Sequence, residues 1–205
     1  AAVCRSAELP LQPFSYREGF EGEPPKVELW AKNGESLVNF LGPSDEQACE
    51  GKRSLKLDVT LQGGSYHYWG VAVKVPCAGK LKLSARMLVG EGNTAQVGFG
   101  RNLTFPPTQH SGCGAIESHS TPTRQWKSIE CDLVARGQQS AAGVMASHAP
   151  SVRGDEVGAV LDRWAIFVTG SVGQRAVVYL DDVRIEGEAP SQQGTWSGSS
   201  KKSSC

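Results

Sequence analysis

Apolar and polar residues alternate singly over short runs, and glycine- or proline-containing breaks separate the runs. Residues 54–61 (SLKLDVTL) and 80–89 (KLKLSARMLV) alternate most cleanly, the period-two signature of strands with one buried and one wet face. Similar segments are read at 27–30, 37–41, 66–75, 95–105, 115–117, 127–135, 163–169 and 176–185. No long amphipathic helix is read between them. Short strands joined by turns predict an all-β chain, a two-sheet antiparallel β-sandwich of jelly-roll type.

The closing strand, VVYLDDVRI at 177–185, carries two adjacent acids. Regular alternation puts Asp181 in a row with Val177, Tyr179, Val183 and Ile185, where a carboxylate without a partner is costly. A cation, an arginine or lysine, or a set of backbone N–H donors would supply that partner. A one-residue bulge would exchange the faces of Asp181 and Asp182.

Composition agrees with this picture. The 205 residues include 24 glycines and 11 prolines, a turn-rich profile. They divide into an N-terminal extension (1–13), the sandwich (14–188) and a tail (189–205) rich in serine and glycine, read as a linker. Lys and Arg total 21, as do Asp and Glu, so no bulk charge points to nucleic acid or to an anionic membrane. No apolar run approaches the roughly 20 residues of a membrane span.

None of the six cysteines forms a C-x-x-C pair. Cys49 and Cys77 are equidistant from Gly63, and Cys113 and Cys131 from Pro122. Symmetric hairpins about those turns predict disulfides Cys49–Cys77 and Cys113–Cys131, hence an oxidising compartment and a secreted protein. Cys4 and Cys205 are left open. The sequon Asn102-Leu103-Thr104 agrees with export.

Four pieces recur in this order in one known group: Gly19-Phe20-Glu21-Gly22, Glu50-Gly51-Lys52-Arg53-Ser54-Leu55, Trp126, and Tyr179-Leu180-Asp181-Asp182-Val183. Over 14–188 the chain resembles the jelly-roll carbohydrate-binding modules of families 4, 9 and 22 and related galactose-binding-like domains. The resemblance implies a non-catalytic, monomeric module that binds plant, algal or microbial polysaccharide and is tethered to an enzyme or anchor. It also implies a structural Ca²⁺ held by the Gly19 carbonyl, Glu21, Glu50, the Arg53 carbonyl and Asp181, a hard-oxygen set suited to that ion. The alternative partners for Asp181 are backbone amides, Arg184 or Lys52.

Sugar rings stack their C–H faces on aromatic side chains, and the most ligand-like run is Ser65-Tyr66-His67-Tyr68-Trp69-Gly70. Trp69 with Gly70 resembles the Trp-x-Gly element on the binding face of these modules. Tyr66 and Tyr68 share one face of the strand, His67 and Trp69 the other. The expected binding residues are Trp69 and His67, with Tyr68, a second aromatic at Trp164, and Arg101 and Arg163 as hydroxyl partners. Trp126 is expected in the core, and Trp30 is unassigned.

Two other classes compete. A jelly-roll glycan hydrolase or lyase needs paired carboxyls, about 5 Å apart in a retaining glycosidase. The adjacent acids at 155–156 and 181–182 point to opposite faces if they lie in strands, and no Gly-x-Ser-x-Gly elbow occurs. His110, Cys113, His119 and Cys131 match no standard metal spacing. A protein-binding adhesion domain would use the same fold.

Overall fold

The computed structural model describes residues 10–105, 110–148 and 159–190. Eleven strands and one helix follow in the order β1 (Leu11–Glu18), β2 (Glu28–Lys32), β3 (Ser36–Ser44), β4 (Ser54–Leu61), β5 (Tyr66–Pro76) and β6 (Leu81–Val89). Then come β7 (Gln96–Phe105), β8 (His110–His119), β9 (Lys127–Asp132), α1 (Leu133–His148), β10 (Val160–Thr169) and β11 (Arg175–Pro190). They form two antiparallel sheets, a β-sandwich as the alternation predicts. The six-stranded sheet runs β3-β4-β11-β6-β9, with β1 also paired to β11; the five-stranded sheet runs β2-β5-β10-β7-β8.

Alternation decides what lies between the sheets. Leu55, Leu57, Val59 and Leu61 of β4 and Leu81, Leu83, Ala85, Met87 and Val89 of β6 face inward. From the other sheet they meet Trp69, Val71 and Val75 of β5, Phe99, Leu103 and Phe105 of β7, and Trp164, Ile166 and Val168 of β10. Trp126, expected here, lies outside this core. It is partly buried against Leu88, Val177 and Tyr179 on the outer face of the six-stranded sheet.

The chain crosses from sheet to sheet more often than the sequence reading assumed, and this overturns both disulfides. The turn at Gly63–Gly64 carries the chain from β4 in one sheet to β5 in the other, so it closes no hairpin. Gly64 sits there at φ 71°, where an added Cβ would lie 2.6 Å from the Asn33 backbone. The segment around Pro122 likewise passes from β8 to β9 in the opposite sheet. Neither Cys49 and Cys77 nor Cys113 and Cys131 face each other across a ladder, and no disulfide joins any of the four. The sequon fails too: Asn102 lies within β7 and is 5% exposed, out of reach of a glycan. Cys4, Cys205, Trp196 and the acids at 155–156 lie outside the described residues.

A helix replaces the end of the strand expected at 127–135. β9 stops at Asp132, whose carboxylate caps α1 by accepting from Val134 N (2.9 Å) and Ala135 N (3.0 Å). Among the described residues, no helix is long and apolar enough to cross a membrane.

β11 organises the larger sheet. Its first half lies between β4 and β6, and its second half between β1 and β6. The changeover from β4 to β1 coincides with a bulge at Asp181–Arg184, where Asp182 adopts φ 49°. The bulge resets the alternation: Val177, Tyr179 and Asp181 face outward, whereas Val183 and Ile185 return to the core.

Candidate functional site

Two places on this framework gather functional side chains. The first is the junction where β4 hands over to β1. A cleft of about 380 Å³ is lined there by Arg17, Gly19, Glu21, Glu50, Gly51, Asp181 and Asp182. The structure thus brings together four of the five expected calcium ligands. Asp181, fully buried, accepts from Cys49 N (2.8 Å), Glu50 N (3.0 Å) and Asp182 N (2.7 Å). Glu21 accepts from Lys52 N (2.7 Å) and Arg53 N (2.8 Å), and these amides hold its pKa below the ordinary carboxylate value. Arg53, expected to offer its carbonyl, instead directs its guanidinium to the Glu21 carbonyl.

Two further guanidinium groups pair with the acids. Arg17 bonds Glu50 at 2.6 Å and Asp182 at 3.0 Å, and Arg184 bonds Asp182 at 2.7 Å. Burial opposes ionisation of Asp182, but the bonds and charges of Arg184 and Arg17 outweigh it, and its pKa is lowered. Among the described residues, no cluster of three His, Cys, Asp or Glu side chains is placed to hold a metal. As arranged, the donor set does not fit Ca²⁺: backbone N–H groups occupy three of the four acceptor directions of Asp181, and Arg17 is bonded to the carboxylates of Glu50 and Asp182. The partner that Asp181 needs is the set of amides from the 49–50 loop and Asp182. The junction is a structural clasp.

The second place is the outer face of the five-stranded sheet. Register aligns Gly70, Ala165, Gly100 and Ala115 across β5, β10, β7 and β8, a row with no side chain larger than a methyl group. On one side runs Tyr68, Phe167, Gly98 and Ser118; on the other, Ala72, Arg163, Asn102 and Cys113. The result is a band of small residues across the strands, spanning three interstrand spacings or about 14 Å, with Gly70, Ala165 and Gly100 all buried beneath their neighbours. A bulge in β8 at Ile116 draws its backbone in toward β7, so an added Cβ at Gly98 would stand 2.7 Å from the Glu117 carbonyl. At the other end Trp30, in a bulge of β2, leans over Gly70, its Cδ1 3.2 Å from where a Cβ would be.

Aromatic rings cluster at the β2–β5 end. Tyr68 stacks on Tyr66 (centroids 5.0 Å), tilts against Phe167 (4.5 Å) and reaches Trp30 (5.8 Å). The Arg163 guanidinium lies 5.0 Å over the Trp30 ring, a cation–π contact. Its Nε donates to Asp162 at 2.8 Å, and Asn102 Nδ2 approaches the same carboxylate oxygen at 3.4 Å. Flat rings beside a compact polar network can stack on an apolar ring face and hydrogen-bond its rim.

Of the six residues expected to bind sugar, Tyr68 and Arg163 lie on this face. The other four point inward. Trp69 is 1% exposed and Trp164 is fully buried. Trp164 Nε1 donates to Tyr16 Oη at 3.3 Å, and its ring packs against Phe20 and Phe99. His67 stacks on Trp69 in the interior, and neither ring nitrogen has a partner. Arg101 is also inside, where it donates through Nη1 to the Gly114 carbonyl at 2.7 Å while burial lowers its pKa. Because the sheet alternates strictly here, these four cannot share a ligand with Tyr68 and Arg163. Trp30, Tyr66, Phe167, Asp162 and Asn102 are the face residues that the sequence reading missed.

No family model matches this chain, and no curated protein matches it. Among solved structures it is similar to the C-terminal family 22 carbohydrate-binding module of Clostridium thermocellum Xyn10B, at 15% identity and a TM-score of 0.48 over 88% of this chain and 95% of that one. It is also similar to the CBM22-1 xylan-binding domain from Paenibacillus barcinonensis Xyn10C, at 14% identity and a TM-score of 0.47 over 83% and 92%. The CBM22-2 xylan-binding domain of the same protein is 17% identical, with a TM-score of 0.45 over 84% and 98%.

Proposed function

We propose that the chain is a non-catalytic carbohydrate-binding module whose ligand lies across the outer face of the five-stranded sheet. The observation that carries this reading is the joined cluster of Trp30, Tyr66, Tyr68, Phe167 and Arg163 on the outer face of that sheet. Core packing does not account for it, since the core lies on the opposite side of the same strands. Aromatic faces give the stacking surface, and the polar network bonds hydroxyls. A module of this kind keeps an attached enzyme or anchor near its polysaccharide by raising local concentration.

Affinity electrophoresis and calorimetry against soluble β-glucan, xylan, mannan and galactan test the proposal, with Tyr68→Ala and Trp30→Ala as controls. Retention on at least one glycan that both variants abolish supports it. Release of reducing ends by the wild type would favour a hydrolase. Retention on none would favour a protein-binding domain.

A further inference from the structure

Charge is spread unevenly over the strands. Ten of the eleven carry at least one Asp, Glu, Lys or Arg, and the exception is β3, SLVNFLGPS. It is also an edge strand, paired to β4 and to no other strand among the described residues. Proteins ordinarily blunt such an edge with charge, because its free N–H and C=O groups can take up another strand. The other edges follow that practice: β2 has Glu28 and Lys32, β8 has Glu117, and β9 has Lys127 and Glu130.

The same strand is apolar on both sides. Six large apolar side chains are exposed among the described residues, and three of them are Leu37 (52%), Val38 (44%) and Phe40 (41%). Register sets Leu37 and Phe40 on the outer face, beside Thr60 and Asp58 of β4, and Val38 on the inner side, beside the core residue Val59. An inward side chain left so exposed means that the sandwich is open along this margin. Leu29 of β2, at the matching margin of the second sheet, sits beside Trp69 on the inner side and is 37% exposed.

A strand equally free of charge would complete this edge. Among the described strands only β3 meets that description, so the matching strand is β3 of a second copy, antiparallel about a twofold axis. Electrostatics does not oppose the pairing. Lys56 and Asp58 of the neighbouring β4 are matched within the chain, by Glu46 and Arg175, and Lys and Arg equal Asp and Glu at 21 each. We propose that β3 is a self-association surface through which two copies join their six-stranded sheets edge to edge. Leu37 and Phe40 of each copy are then covered on one side of the joined sheet, and Val38 on the other. Pro43 has no N–H to give, so the ladder runs no further than Gly42. So short a ladder buries less than a standard interface, and the dimer forms only as concentration rises.

Sedimentation velocity from micromolar to near-millimolar protein tests this, with hydrogen exchange at the amides of 36–42. The wild type is expected to pass from monomer to dimer, and exchange at those amides to slow over the same range. Val38→Lys and Leu37→Lys would each bury a charge in the dimer and are each expected to weaken association by about tenfold or more, with Tm and glycan retention unchanged. If Val38→Lys fails to fold, Leu37→Lys, at the more exposed position, carries the test. A wild type that stays monomeric throughout would leave the edge to a different protein and overturn the inference. A dimer that the folded variants retain would also overturn it. So would protection of 36–42 that does not vary with concentration, since another segment of the same chain would then cover the edge.

Discussion

Trp69 and Tyr68 are neighbours on β5, yet they should fail in opposite ways. Trp69 is buried between the sheets, stacked on His67 at 6.1 Å. Truncation to alanine removes a large core side chain and leaves a cavity, which costs about 3–5 kcal/mol. Against the roughly 5–15 kcal/mol that holds a domain together, that is a major loss. It should lower the Tm by roughly 6–20 °C for a domain of this size. Tyr68 meets Tyr66, Phe167 and Trp30 on the outer face, where it is only partly buried. Its removal should cost about 1–2 kcal/mol of stability but about 2 kcal/mol of binding, or roughly thirtyfold in Kd. Thermal unfolding and affinity electrophoresis on Trp69→Ala and Tyr68→Ala separate the two effects. A Trp69→Ala protein that keeps its Tm and loses the glycan would show the two faces of β5 to be assigned backwards.

Three further outcomes follow from the geometry. If arginines close the clasp, Ca²⁺ and EDTA should leave the Tm unchanged while Arg17→Ala lowers it, through a stability loss of about 1 kcal/mol given the exposure of that side chain; a rise of several degrees with Ca²⁺ would restore the calcium reading. Asp58, bonded by Arg175 and then by Asn39, has its pKa lowered, so its contribution is present above the unfolded-state value near pH 4 and is lost as pH falls through the lower folded value. Asp58→Asn should therefore be less stable than wild type at pH 7, by about 1–2 kcal/mol with Arg175 half exposed, with a gap that closes toward pH 2 in urea titrations. Burial pushes the Cys77 thiol up to about 12, so it should react with a thiol reagent at pH 8 only after unfolding, and peptide mapping should find neither Cys49–Cys77 nor Cys113–Cys131.

Much of the sandwich was legible because alternation is a local property. Residues 54–61 and most of 80–89 are strands, and the bulge that separates Asp181 from Val183 was an open possibility in the pattern. Alternation also sorted the aromatic residues of β5 into the correct two sets. It did not say which set was inside, although Val71 and Val75 share the side of Trp69 while Lys74 lies across the strand. Along β10 the run Trp164, Ile166, Val168 likewise marks the core, and Arg163 the outside. The cysteine pairs failed for a different reason: equal spacing from a turn cannot distinguish a hairpin from a crossing between sheets. β1 escaped notice because it lies at the margin of its sheet, carries Pro13 and keeps most of its side chains wet. Trp30 and Asn102 were out of reach, since their place on the outer face of the five-stranded sheet depends on a bulge in β2 and on the neighbour that β7 acquires only when the sheet assembles.

The pairing of Leu11 with Pro190 places the start of β1 beside the end of β11, one interstrand spacing apart or about 5 Å. The sandwich is therefore entered and left at one point. Such a unit can be spliced into a surface loop of another protein without spreading its host's chain. The same arrangement sets its response to tension. A pull on both ends would load the β1–β11 hydrogen bonds one after another, starting at Leu11–Pro190, and would reach the Arg17 clasp only after that ladder had opened to its far end.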